Sequence, residues 1–120
     1  MTGLPEKMKI VFAGVNGKMG RAMLKGIMNE PDIVIAGAVD IESLGTDIGM
    51  LIGLPPVNIF VEDDLDRVLK NTNPDILLDF TSPASVMKNI EIAVENRVGC
   101  VVGTTGISRE DLETLKQWSS

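Results

Sequence analysis

The stretch K-I-V-F-A-G-V-N-G-K-M-G, residues 9–20, decides how this chain folds. Ile10 to Ala13 is a continuous apolar run of the kind a fully buried strand carries. It breaks at Gly14, and Gly17 and Gly20 follow as a helical pattern begins. A strand running through a glycine-rich turn into a helix start is how dinucleotide-binding folds hold a pyrophosphate. The first N–H groups of a helix have no partner inside it and point at the anion, and missing Cβ atoms let backbone and ligand come close. Asp40 follows Gly20 by 20 residues, at the end of the next apolar run, where such folds place the carboxylate that grips a ribose. The stretch therefore reads as the core of a nicotinamide-dinucleotide-binding domain.

Outward from it, apolar runs and helical patterns alternate. The first helix carries Met19, Ala22, Met23, Gly26 and Ile27 on one expected inner face, with Lys18, Arg21 and Lys25 outside it. Pro31 stops this helix, and Ile33 to Val39 reads as the second strand. Residues 42–56 form a long Gly/Pro-rich connection, and Val57 to Val61 reads as the third strand. Asp63 is the expected N-cap of a short helix with Leu65, Val68 and Leu69 inward. Asp75 to Phe80 is the fourth strand, and Ser82-Pro83 sets a capping hydroxyl before a proline at the first helical position. That helix has Val86, Met87, Ile90, Ala93 and Val94 as its apolar stripe. Cys100 to Val102 is the fifth strand, and Ser108 with Asp111 resembles a capping box for a last helix.

This alternation implies an α/β fold: a Rossmann-like, doubly wound parallel sheet of about five strands with helices on both faces. Right-handed crossovers give the order 3-2-1-4-5, with ligand at the carboxyl ends of strands 1 and 4. Asn16 stands where the commoner fingerprint has its second glycine, and a glycine pattern alone also fits an ordinary tight turn. Phe80 and Thr81, with Gly103-Thr104-Thr105-Gly106, lie at strand ends facing the same crevice, where they can position a nicotinamide. A carboxylate at Asp40 repels a 2′-phosphate, and Ile41 supplies no cation to neutralise one, so NADH is the expected cofactor. Lys18, flexible and beside the turn, leaves NADPH as a second cofactor.

Composition sets the outer bounds. At 120 residues the chain is one domain, residues 1–120, and its net charge of −6 argues against nucleic-acid and anionic-membrane partners. Cys100 is the single cysteine and there is no histidine, so neither a disulfide framework nor a Cys/His metal set is expected. Cys100 reads as a small buried strand residue. The first residues contain no apolar signal core, and a reducing cytoplasm is the expected compartment.

V-F-A-G-V-N-G-K-M-G at 11–20, D-F-T-S-P-A-S at 79–85 and V-V-G-T-T-G at 101–106 together resemble the 4-hydroxy-tetrahydrodipicolinate (dihydrodipicolinate) reductases of lysine and diaminopimelate synthesis. The resemblance implies cofactor binding by the residues matching Gly14, Val15, Asn16, Gly17, Lys18 and Met19, by Asp40, and by Gly103, Thr104 and Thr105. A basic residue often follows the family's acid and supports NADPH; Ile41 departs from that. Family members continue into a sixth strand and a substrate domain that carries a histidine pair and a lysine and builds a homotetramer. That domain is absent from these 120 residues. The expectation is a cofactor domain that lacks the catalytic residues, turns over no dicarboxylate alone, and is a monomer or weak oligomer. Two other readings stay open on residues alone: a stand-alone regulatory dinucleotide module, and the cofactor domain of another amino-acid-pathway dehydrogenase.

Overall fold

The computed structural model describes residues 7–103. In chain order the elements are β1 (Met8–Ala13), α1 (Lys18–Ile27), β2 (Ile33–Val39), α2 (Ile48–Leu51), β3 (Val61–Glu62), α3 (Leu65–Thr72), β4 (Ile76–Asp79), α4 (Pro83–Glu95) and β5 (Gly99–Val102). Every strand pair is parallel, and the sheet order is β3-β2-β1-β4-β5, as the alternation of runs implied. Strand β1 lies in the middle because its run is apolar on both faces. Met8, Ile10 and Phe12 pack with Leu24 and Ile27 of α1 and Ile48 of α2. Val11 and Ala13 look the other way, onto Leu65, Val68 and Leu69 of α3 and Ala93 of α4. Full burial of each large apolar side chain contributes about 1.5–3 kcal/mol, so the two layers together hold the sheet.

Several local expectations are corrected. Helix α1 buries Gly20, Leu24 and Ile27, while Ala22 and Gly26 are exposed, Met19 is 41% exposed and Met23 is only half-buried. The helix is turned because Gly20 packs on the glycine turn, where an added Cβ would lie 2.1 Å from the Gly14 carbonyl oxygen. The third strand is the two residues Val61–Glu62 rather than Val57–Val61. The N–H groups of Val57 and Asn58 donate to the Asp47 carboxylate instead of to a neighbouring strand. Residues 42–56 also hold the short helix α2, which the turn-rich composition hid. The N-cap of α3 is Asp64, one residue later than expected, and β4 is one residue shorter at each end. Strand β5 begins at Gly99, one residue earlier.

On α4, Ala93 is buried and Val86 and Ile90 are half-buried, but Met87 and Val94 are exposed. Ile92 packs against the core in their place. Ser82 is the N-cap of this helix, yet its hydroxyl makes no capping hydrogen bond. The expected capping box at Ser108 and Asp111, and Thr104 and Thr105, lie outside the described residues. Among the described residues no helix is long and apolar enough to cross a membrane.

Candidate functional site

Strands β1 and β4 are neighbours, but the chain leaves them in opposite directions, β1 toward α1 and β4 toward α4 on the other face. A doubly wound sheet opens a crevice at such a point, beyond the carboxyl ends of the strands. Here it has a volume of about 950 Å³ and is lined from Gly14, Asn16 and Gly17 across Asp40 and Glu42 to Phe80, Thr81 and Lys88.

The three glycines of the turn have different reasons to be glycine. Gly14 has φ +81°, and a Cβ there would stand 2.6 Å from the Phe80 carbonyl carbon and 2.8 Å from the Thr81 nitrogen. The β4–α4 turn thus rests directly on the glycine turn. Gly20 lets α1 rest on the Gly14 carbonyl. Gly17 is neither crowded nor strained: its φ is −70° and the nearest atom to an added Cβ is 3.7 Å away. Among the described residues nothing requires a bare backbone there. Gly17 is the N-cap of α1, no side chain caps that helix, and its first turn holds no acid. The first-turn N–H groups of a helix have no partner within it, and the helix dipole makes this end attractive to an anion.

Asp40 is tied to this turn. Its Oδ2 accepts the Asn16 N–H at 2.8 Å, and its Oδ1 accepts from the N–H groups of Ile41 at 2.7 Å and Glu42 at 3.1 Å. The acid expected from its spacing is therefore fixed against the turn it was expected to serve. Asn16 is held on every side. Its Nδ2 donates to Glu42 Oε2 at 2.9 Å, while its Oδ1 accepts from Arg21 Nη2 at 2.6 Å and from Ser43 Oγ at 2.7 Å. Arg21 Nε also donates to the Asn16 carbonyl at 2.9 Å.

On the opposite wall, Asp79 ends β4 and is fully buried. Its Oδ1 accepts from the N–H and the hydroxyl of Thr81, and its Oδ2 accepts from Asn89 Nδ2 at 3.0 Å. This carboxylate sets the shape of the β4–α4 turn. The Phe80 ring stacks on Phe12 with centroids 5.1 Å apart, and it fills the space a Cβ on Gly103 would take. Burial and the charge of Asp79 push the Cys100 thiol up to about 11, which leaves it a poor nucleophile near neutral pH.

Of the residues singled out from sequence, Gly14, Asn16, Gly17, Asp40, Phe80 and Thr81 line the crevice. Val15 is buried in the core, Lys18 and Met19 open α1 on its exposed side, and Gly103 sits behind the Phe80 ring. Arg21, Glu42, Ser43, Asp79, Lys88 and Asn89 were not singled out for this site. Asp79 had a readable signal, an acid ending a strand as Asp40 nearly does. The others depend on contacts across the fold that no local spacing announces.

Sheet order, crevice and glycine turn define the class: a Rossmann-like α/β domain of the kind found in dehydrogenases. A family model described as "Dihydrodipicolinate reductase, N-terminus" matches residues 8–120. The chain belongs to the dihydrodipicolinate reductase family and corresponds to its N-terminal part. It is 43% identical over 109 residues to the 4-hydroxy-tetrahydrodipicolinate reductase of Moorella thermoacetica, covering 91% of this chain and 41% of that protein. The same-named protein of Methanococcus aeolicus is 39% identical over 115 residues, covering 91% and 42%. The chain thus spans about two fifths of the length of these relatives. Among solved structures, the dipicolinate-bound dihydrodipicolinate reductase of Paenisporosarcina sp. TG-14 matches with a TM-score of 0.67 at 25% identity, over 91% of this chain and 42% of that one. A scyllo-inositol dehydrogenase of Lactobacillus casei with bound NAD(H) shares the fold alone, at 16% identity and a TM-score of 0.65, over 93% and 32%.

Proposed function

We propose that this chain is the cofactor-holding part of a 4-hydroxy-tetrahydrodipicolinate reductase, and that it binds a nicotinamide dinucleotide in the crevice. The observation that carries the reading is Gly17, a bare, uncrowded N-cap at an uncapped helix start, beside a turn that fixes Asp40. The pyrophosphate lies on the backbone of Gly14, Val15, Asn16, Gly17, Lys18 and Met19. Asp40 accepts hydrogen bonds from the adenosine ribose. Phe80 and Thr81, with Gly103, Thr104 and Thr105, hold the nicotinamide end. The residues present fit such a group, because the cradle at Gly17 is one that any side chain would fill. When bound, the dinucleotide supplies hydride; this chain's residues hold and orient it.

NADH is the preferred cofactor in this reading, since Asp40 is followed by Ile41, which supplies no cation for a 2′-phosphate, with Lys18 allowing NADPH more weakly. A reducing cytoplasm is the compartment in this reading, in keeping with the single cysteine. The substrate is a cyclic unsaturated dicarboxylate, in keeping with the relatives' names. Reducing it requires cations that orient the carboxylates and a donor that protonates the product, both in near-attack geometry. The sequence holds no histidine, and Lys88 is the only cation lining the described crevice. The 120-residue chain by itself therefore binds cofactor without turning over substrate.

Calorimetric titration with NADH tests the reading. Saturable binding is expected, weakened about tenfold or more by Asp40→Ala through loss of charged hydrogen bonds. Unchanged affinity in that variant would remove Asp40 from the ribose. Substrate-dependent NADH oxidation proportional to this chain's concentration would show that the chemistry has been misplaced.

A further inference from the structure

Glu42 is tied at both ends. Its backbone N–H donates to Asp40 Oδ1 at 3.1 Å, and its carboxylate accepts the Asn16 side-chain amide at 2.9 Å. The amide cannot swing away from this contact freely, because Arg21 and Ser43 occupy its oxygen. Both carboxylates line the crevice, on the side the reading above gives to the adenosine ribose. Their surroundings differ. Three N–H groups offset the charge of Asp40, whereas Glu42 has the single amide. Arg21, the nearest guanidinium in this network, is committed to the carbonyl and amide oxygens of Asn16 and to the Leu51 carbonyl. Among the described residues neither Asp40 nor Glu42 forms an ion pair.

Resting on the cofactor reading above, we infer that Glu42, positioned by the Asn16 amide, is the specificity residue that favours NADH over NADPH. A 2′-phosphate on a ribose held by Asp40 meets the Glu42 carboxylate, and like charges at this exposed rim repel in a way that salt screens. Asp40 alone would not make residue 41 decisive. A cation placed at Ile41, whose side chain is 86% exposed, would be drawn to Glu42 and Asp40 on either side before it met a phosphate. The Asn16–Glu42 contact also explains why an amide stands in the turn where glycine is commoner: it aims the second carboxylate.

The test is fluorescence titration of NADH and NADPH against the wild-type chain, Glu42→Gln, Ile41→Arg and the double variant, at low and high salt. Glu42→Gln is expected to tighten NADPH about tenfold at low salt and to leave NADH within about twofold. Ile41→Arg alone is expected to gain only about twofold for NADPH, and the double variant more than the product of the two. In the wild type the gap between the cofactors narrows as salt rises, and in Glu42→Gln it narrows clearly less, because only Asp40 and the more distant acids of the rim remain to be screened. A structural brace would not produce that salt signature. Equal movement of both cofactors in Glu42→Gln would make Glu42 a brace and overturn the inference. A full gain from Ile41→Arg with none from Glu42→Gln would overturn it in favour of residue 41. Absence of NADH binding by the wild type would overturn the cofactor reading itself, and this inference with it.

Discussion

Helices α1 and α3 both begin at the rim of the crevice, and they treat their first N–H groups in opposite ways. At α3 the Asp64 carboxylate accepts the Arg67 N–H at 3.1 Å, and Asp66 adds a second negative charge in the first turn. At α1 the N-cap is a glycine, and no side chain or acid answers the helix start. A weaker form of the contrast separates α2, whose N-cap Asp47 accepts from Gly49 and Met50, from α4, whose Ser82 hydroxyl caps nothing although its carbonyl accepts the Ser85 N–H. An N-cap side chain contributes about 1 kcal/mol. The chain takes that stabilisation where a helix only supports the crevice. It forgoes it at the two helices that leave β1 and β4, where the sheet winding reverses. The uncapped start of α1 thus lies at the rim of the crevice, while the acids of α3 make its own start unfavourable for an anion.

The comparison breaks if closing α1 does no harm. Gly17→Asp fits the backbone and the space at that position and would give α1 the kind of cap that α3 has. It is expected to raise stability by a few tenths of a kcal/mol, as a carboxylate replacing glycine at an N-cap does. It should also weaken NADH at least about tenfold, by filling the cradle and repelling the pyrophosphate. Urea unfolding and cofactor titration on the same sample read the two effects, and their opposite signs are the diagnostic. Undiminished affinity would mean that the phosphates lie elsewhere.

Opening α3 is the converse. Asp64→Ala is expected to cost about 1 kcal/mol of stability and to change NADH affinity less than about twofold. A large loss of affinity with unchanged stability would place a ligand contact at α3 and erase the distinction.

A smaller effect sharpens the structural side. Burial alone would raise the pKa of Asp47, but N–H groups of Val57, Asn58, Met50 and Gly49 outweigh it and hold the carboxyl below its ordinary 3.8. A group whose pKa is depressed on folding adds stability above its unfolded value, and that stability is lost as pH falls through the folded value. Urea midpoints should therefore fall as pH drops below about 4, and Asp47→Asn should be less stable near neutrality with a shallower acid dependence. An unaltered acid slope would show that the loop of residues 47–58 is held by something other than this carboxylate.

Strand β1, the glycine turn and Asp40 were legible because each is a local statement. An apolar run buried on both faces, a break at glycine and an acid at a strand end need no knowledge of the rest of the chain. Strand β3 was misread for an equally physical reason. Val57 to Val61 is apolar enough for a strand, but the first two N–H groups of that run belong to Asp47. The rotation of α1 was missed because its packing is set by Gly20, which has no side chain to mark a face.

The sequence by itself determined the α/β alternation, the strand order that right-handed crossovers allow, and the end of the sheet at which the crevice opens. Only the tertiary structure decided which polar groups are consumed by the fold and which are left over. Asn16 finds its partners 5, 24, 26 and 27 residues away, and Asp79 finds Asn89 one strand end and two helical turns on. Such contacts depend on how each helix is rotated against the sheet. That rotation is fixed by close packing at Gly14 and Gly20, an interaction between elements that no local pattern of residues records.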